Sequence, residues 1–266
     1  MGLALLEKHF GQMGARIKFG DVLDKWPFNR RAGIDIRSDH KGEFFDIRVA
    51  PNDPVQYEVV DLNRDLRHLL LLGRRETVKE KFLCGHDERH WFVCAVPGNG
   101  ISNVIRAMEA LQPREVKWQV HRDVKRVKDR LARHNEAFTR QGEWFFVPAP
   151  NIPTVPRFVL RNEPISRGNG SKSHICEEVF RFAGEPVMVS QRYPQGLTLE
   201  QHASLIKGDR QAQKLVWRRM QRGAAVFARG RVRHPDHKTV ILDGWHRVYM
   251  NTENLAPGAR SVVFLD

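Results

Sequence analysis

Cysteine is scarce, three residues in a chain of 266. A small, odd number offers no disulfide framework and points to a reducing, cytoplasmic setting. Long apolar runs are missing as well. The most compact one, Leu69-Leu70-Leu71-Leu72, stops at Gly73-Arg74-Arg75. That falls far short of the roughly 20 residues needed to cross a bilayer, so no membrane partner is expected. The opening stretch, Met1 to His9, has no basic residues ahead of its apolar ones, so it is not expected to act as a secretory leader. Acidic residues are in deficit, 31 against 44 Lys+Arg, for a formal net charge of +13. An excess of one sign repels itself in a folded chain and suits a polyanionic partner. RNA or single-stranded DNA is therefore the expected partner, with other protein subunits as a further class. A hydrophobic fraction of 41% excludes wholesale disorder.

The hydrophobic pattern predicts an α+β fold: two β-rich parts with short antiparallel strands and hairpins, joined by a basic helix and a Pro-rich connector. Apolar–polar alternation marks strands over 15–19, 33–37, 43–49, 57–62, 67–72, 81–84 and 91–96. Turn-forming residues separate them at 38–42 and 50–54. A helix is expected over 102–111, with Ser102 as N-cap, so residues 1–113 form the first part. Val116, Val120, Val124, Val127 and Leu131 recur at spacings of three and four, which predicts a helix opening the 114–147 block and carrying Arg122, Lys125, Arg126 and Arg130 outward. The prolines of 148–156 favour extended chain and read as the connector. Beyond it, 157–266 is expected as a second α+β part. Its strands fall at 157–161, 174–182, 187–192, 229–233, 239–242 and 245–250, and its helices at 199–207 and 211–222. Strands 174–182 and 187–192 are expected to pair with each other, and Asp243-Gly244 to turn a hairpin. The second helix would present Lys214, Arg218, Arg219 and Arg222 as another basic face.

Two short segments concentrate histidines and acids. The first is Cys84-Gly85-His86-Asp87-Glu88-Arg89-His90-Trp91, the second His234-Pro235-Asp236-His237. Both lie between predicted strands. Imidazole titrates near neutrality, so His86, His90, His234 and His237 beside Glu88 and Asp236 suit proton transfer at a phosphodiester. One His would take a proton from the nucleophile and another protonate the leaving oxygen, with Arg89 or Lys238 steadying the phosphorane. Cys84, His86, His90 and Cys94 have no zinc-motif spacing, and Cys94 sits in an apolar strand, so no metal and no cofactor are expected. The loop Arg167-Gly168-Asn169-Gly170-Ser171-Lys172-Ser173 lacks the glycine before lysine that a Walker A loop needs, leaving Lys172 as a simple phosphate contact. Asp236-His237 followed by Asn251 and Asn254 resembles the residue order of HNH nucleases, in which one His activates water and others hold a metal. The further histidine that would complete that motif is absent. Adjacent aromatics at Trp91-Phe92 and Trp144-Phe145-Phe146 suit either base stacking or a core. The expected function is binding of RNA or single-stranded nucleic acid, with phosphodiester cleavage as its enzymatic form. The alternatives are a non-catalytic subunit of a ribonucleoprotein or defence complex and a metal-dependent nuclease using Asp87, Glu88, Asp236 and the histidines.

Overall fold

Leu6, Phe10 and Met13 recur at helical spacing and are buried, and the chain opens with a helix there, α1 (Leu3–Gln12). The computed structural model describes residues 3–21, 32–49, 55–76, 78–152, 154–168 and 171–256. Among them the fold is α+β, with sixteen strands in four mostly antiparallel sheets and five helices. The turn expected at 50–54 lies outside the described residues. No helix among those described is long and apolar enough to cross a membrane.

The first sheet holds β1 (Ile17–Asp21), β2 (Ala32–Asp39) and β3 (Gly42–Val49) in the order β1-β3-β2, with β1 parallel to β3. A four-strand meander follows: β4 (Gln56–Asn63), β5 (His68–Arg75), β6 (Val78–His86) and β7 (Trp91–Ala95). Leu69 and Leu71 face a core shared with Phe10, Phe45, Ile47 and Phe82. Leu70 faces the other way, against Leu83, Cys94 and helix α2 (Val104–Leu111). Covering both faces explains why four leucines run without a polar interruption. The N-cap of α2 is Asn103, one residue later than expected, whose side chain accepts from the Arg106 amide at 2.8 Å.

Helix α3 (Arg114–Asp123) is shorter than the valine stripe predicts. Val116, Val120 and Val124 pack on Phe138, Phe145 and Val147, but Val127 is 73% exposed. With no apolar surface to cover beyond Val124, β-branched residues have little reason to stay helical, and a short 3₁₀ turn replaces the helix at Val127–Asp129. Arg122 therefore sits at the helix end, and Lys125, Arg126 and Arg130 sit past it.

The six-stranded sheet has the order β10-β11-β15-β16-β9-β8. Its strands are β8 (Thr139–Gln141), β9 (Trp144–Pro148), β10 (Val159–Ile165), β11 (His174–Phe182), β15 (Ala225–Arg233) and β16 (Val240–Met250). Trp144 and Phe146 face one core and Phe145 the other, so this aromatic run is structural. Three expectations fail here. Strand β12 (Glu185–Ser190) pairs with β13 (Tyr193–Thr198) and β14 (Arg218–Arg222), not with β11. The helix expected over 211–222 is only α5 (Arg210–Gln213), which follows α4 (Leu199–Gly208). Trp217 stacks on Tyr193 with ring centres 5.4 Å apart and donates to the Ala212 carbonyl, turning the chain into β14. Arg218, Arg219 and Arg222 thus lie on a strand. Asp243-Gly244 is not a hairpin turn either. It sits inside β16 where the register with β15 shifts, and Gly244, at φ +77°, takes the backbone form that such a bulge requires.

Glu253, 2% exposed, ties strand β7 to the segment that follows β10. It accepts from the Ala95 amide at 3.0 Å and from Arg167 at 3.2 Å. Burial pushes its carboxyl up to about 7 against the opposing pull of Arg167. Glu253→Ala leaves a buried amide without an acceptor and should cost about 1–3 kcal/mol in urea unfolding. Glu253→Gln keeps an acceptor for Ala95 and should recover much of that loss.

Candidate functional site

Three connections converge on one cleft. The β6–β7 tip is closed by the Asp87 amide donating to the His90 carbonyl at 2.9 Å. The β8–β9 turn has Gly142 at φ +56° in its first central position, the arrangement of a type II′ hairpin. The connection from β15 to β16 carries His234, Asp236 and His237. Gln141, 1% exposed, donates from Nε2 to the carbonyls of Val232 (3.1 Å) and Lys238 (2.7 Å), fixing both ends of that connection. Glu88 accepts from the Lys238 amide at 2.5 Å, which joins the two histidine-bearing tips directly.

The resulting cleft, about 420 Å³, is lined by His90 and Asp87 from one tip and His234, Asp236 and His237 from the other. Phe92 and Trp91 also line it. Arg67 lies over the Trp91 ring at 4.7 Å, so base stacking there has a competitor already in place. His90 donates from Nδ1 to the Glu43 carboxylate at 2.7 Å, and Glu43 also accepts from the Trp91 amide. Asp236 meets Lys172 at 2.8 Å. Arg133 pairs with Glu88 at 2.6 Å and with Asp87, and Arg140 reaches Asp87 at 3.5 Å. His86 is turned away, its ring against the edge of Trp91 at 4.8 Å.

A residue outside both segments completes the group. His174, the first residue of β11, is 1% exposed, and its ring stacks on His234 with centres 4.1 Å apart and planes 24° apart. His237 lies 5.5 Å from His174 and 4.7 Å from His234. One nitrogen from each ring lies within 4.8 Å of the others, a spacing suited to sharing a metal ion. His174 reads in the sequence as an ordinary strand residue, because only the register of β11 against β15 brings it to the tip. Arg133, Arg140 and Glu43 were equally invisible as site residues.

Burial, reinforced by the neighbouring His234 and His237, holds the His174 imidazole down to about 3. Burial also lowers His237, against the pull of Asp87. For Asp236 burial acts upward but is outweighed by Lys172, His234 and His90, leaving the carboxyl low. The charged residues lining the cleft are six carboxylates (Asp35, Glu43, Asp87, Glu143, Asp236, Glu253) and three cations (Arg140, Arg167, Lys172). The local balance is thus opposite to that of the chain as a whole.

The remaining predicted contacts lie elsewhere. Lys125, Arg126, Lys214, Arg218 and Arg219 are exposed, and Arg222 pairs with Glu185 at 2.5 Å. Arg122 pairs with Asp123. Asn251 lines the cleft, whereas Asn254 is exposed and does not. Cys84 and Cys94 are buried in opposite cores of the meander, which removes them from any shared metal set with His86 and His90. Compared with known families, curated proteins and solved structures, the chain matches none.

His174 gives a pH-dependent stability with a defined sign. Its folded pKa lies below its ordinary value of 6.5, so the unfolded chain binds the proton first. Stability is full above pH 6.5 and should fall as pH drops from there toward 3. The loss attributable to this group should be on the order of 3 kcal/mol between pH 7 and pH 4. Urea midpoints measured across that range should fall less steeply in His174→Leu than in the unsubstituted protein.

Proposed function

We propose that this protein binds RNA or single-stranded DNA and hydrolyses a phosphodiester in the cleft between the β6–β7 and β15–β16 tips. The observation that carries this reading is that two histidine–acid segments, far apart in sequence, meet across the Glu88–Lys238 contact. The net charge of +13 supports a polyanionic partner, and exposed Lys125, Arg126, Arg218 and Arg219 supply cations to track a backbone outside the cleft.

In this scheme water attacks phosphorus, forming one P–O bond while the P–O bond to the leaving sugar breaks. The water's proton passes to Asp236, and His90, oriented by Glu43, returns a proton to the leaving oxygen. Arg140, Arg167 and Lys172 are the cations in reach of the developing negative charge. His86 has no part, because it packs on Trp91 outside the cleft.

The test uses end-labelled single-stranded RNA and DNA, each incubated with and without added divalent cation. Binding should weaken steeply with salt, and charge reversal at Arg218 and Arg219 should weaken it further. His90→Ala and Asp236→Asn should each lower cleavage by about 10²–10⁴-fold while binding stays within twofold. Absence of binding at low salt would overturn the proposal. Tight binding with no cleavage under either condition would replace it by the non-catalytic subunit reading.

A further inference from the structure

We propose that His174, His234 and His237 form a binding site for a transition-metal dication of the zinc class, with an open coordination position facing the cleft. The site is argued from its own geometry. Only the role assigned to the ion rests on the hydrolytic reading above.

The first support is convergence. One nitrogen from each of three rings lies within 4.8 Å of the others. Around a tetrahedral ion with bonds of roughly 2.0–2.1 Å, ligand nitrogens stand about 3.4 Å apart, so ordinary ring rotations close the set. The second support is unmet bonding. His174 is 1% exposed, yet neither Nδ1 nor Nε2 has a hydrogen-bond partner among the described residues. A buried unsatisfied polar atom is costly, and coordination would satisfy one of the two. The third is space. A Cβ at position 142 would lie 2.7 Å from His237 Nε2 and 3.3 Å from His174 Nε2. Glycine keeps clear a point close to both nitrogens, although the turn's positive φ asks for glycine independently.

Ligand chemistry selects the class of ion. Three imidazoles with no carboxylate in the set suit zinc, nickel, copper or iron, whereas magnesium and calcium prefer oxygen. Three protein ligands leave room for a fourth, and His234 and His237 both border the cleft, so water or a substrate oxygen can take it. A bound dication would also reverse the local excess of carboxylates and lower the pKa of that water. One contact must change on loading. His234 Nδ1 accepts from the Asp236 amide at 3.1 Å, and coordination through Nε2 would place a proton on Nδ1.

The test is titration of chelator-treated full-length protein with Zn²⁺ by calorimetry, alongside Mg²⁺, and with Co²⁺ by absorption spectroscopy. One Zn²⁺ should bind per chain, Mg²⁺ should not compete, and Co²⁺ should give the visible bands of a four-coordinate site. His234→Gln and His237→Gln, at partly exposed positions, should each weaken Zn²⁺ binding by about 100-fold or more. That exceeds the roughly 10–100-fold typical of losing an outer-shell partner. His121→Ala, on an exposed surface of α3, should bind as the unsubstituted protein does. Failure of the folded, unsubstituted protein to bind Zn²⁺, or equal binding in the glutamine variants, would overturn the site. Zinc binding without nucleic-acid cleavage would leave the site standing and remove the hydrolytic reading.

Discussion

The geometry of the cleft depends on the buried amide of Gln141. Its two donated hydrogen bonds hold Val232 and Lys238, the residues flanking the connection that carries His234, Asp236 and His237. A connection of this length between two strands would otherwise sample many conformations, as exposed loops do. Fixing its two ends from within the sheet turns it into a rigid support for imidazoles. The cost is visible nearby, since the Gln141 carbonyl oxygen and the Trp144 indole nitrogen are buried without hydrogen-bond partners among the described residues. Burying such groups does not favour stability. Their presence beneath the cleft fits a region where position matters more than stability.

Charge works on two scales in this molecule. At a distance a net +13 attracts a polyanion. Within the cleft the order reverses, because six carboxylates line it and its cations are already engaged: Lys172 by Asp236, Arg167 by Glu253 and Arg140 by Asp87. A phosphate arriving on long-range attraction alone would meet a wall that repels it. Either these ion pairs open to receive it, or additional positive charge enters the cleft. The first route means desolvating carboxylates left without partners, which is costly in a partly buried site. The second asks only for neutral imidazoles that accept a cation, and His174 is held neutral at physiological pH by its burial.

Strands were legible in the sequence wherever alternation met a two-faced environment. β11 matches its expected bounds, and the first-half strands agree within a few residues at their ends. Helices α2 and α4 agree with expectation within two residues, whereas the charge spacing over 211–222 misled. Lys214, Arg218 and Arg222 recur every four residues as on a helix, but pairing with β12 and the Tyr193–Trp217 stack hold that segment extended. Asp243-Gly244 has the composition of a hairpin turn and instead forms a bulge, since the backbone conformation glycine permits serves both. The two tips were legible as polar segments between strands, whereas their meeting was not. That meeting depends on Glu88 reaching a backbone amide 150 residues away. His174 carried no local signal at all, being one more residue at the start of an alternating strand.

The glycine at 142 shows why the histidines must carry any test of this cleft. One residue there answers two demands: the tight turn needs positive φ, and the His174–His237 pair needs an unobstructed face. A side chain at that position would disturb the turn and fill the space together, so the two effects could not be told apart. The imidazoles are separable. His234 and His237 sit on a connection whose ends are fixed by backbone carbonyls and a backbone amide, so replacing their side chains leaves the bonds from Gln141 and Glu88 intact. At His237 such a replacement acts on the face turned toward the cleft, and at His234 a glutamine still offers an oxygen to the Asp236 amide that the imidazole Nδ1 accepts from at 3.1 Å.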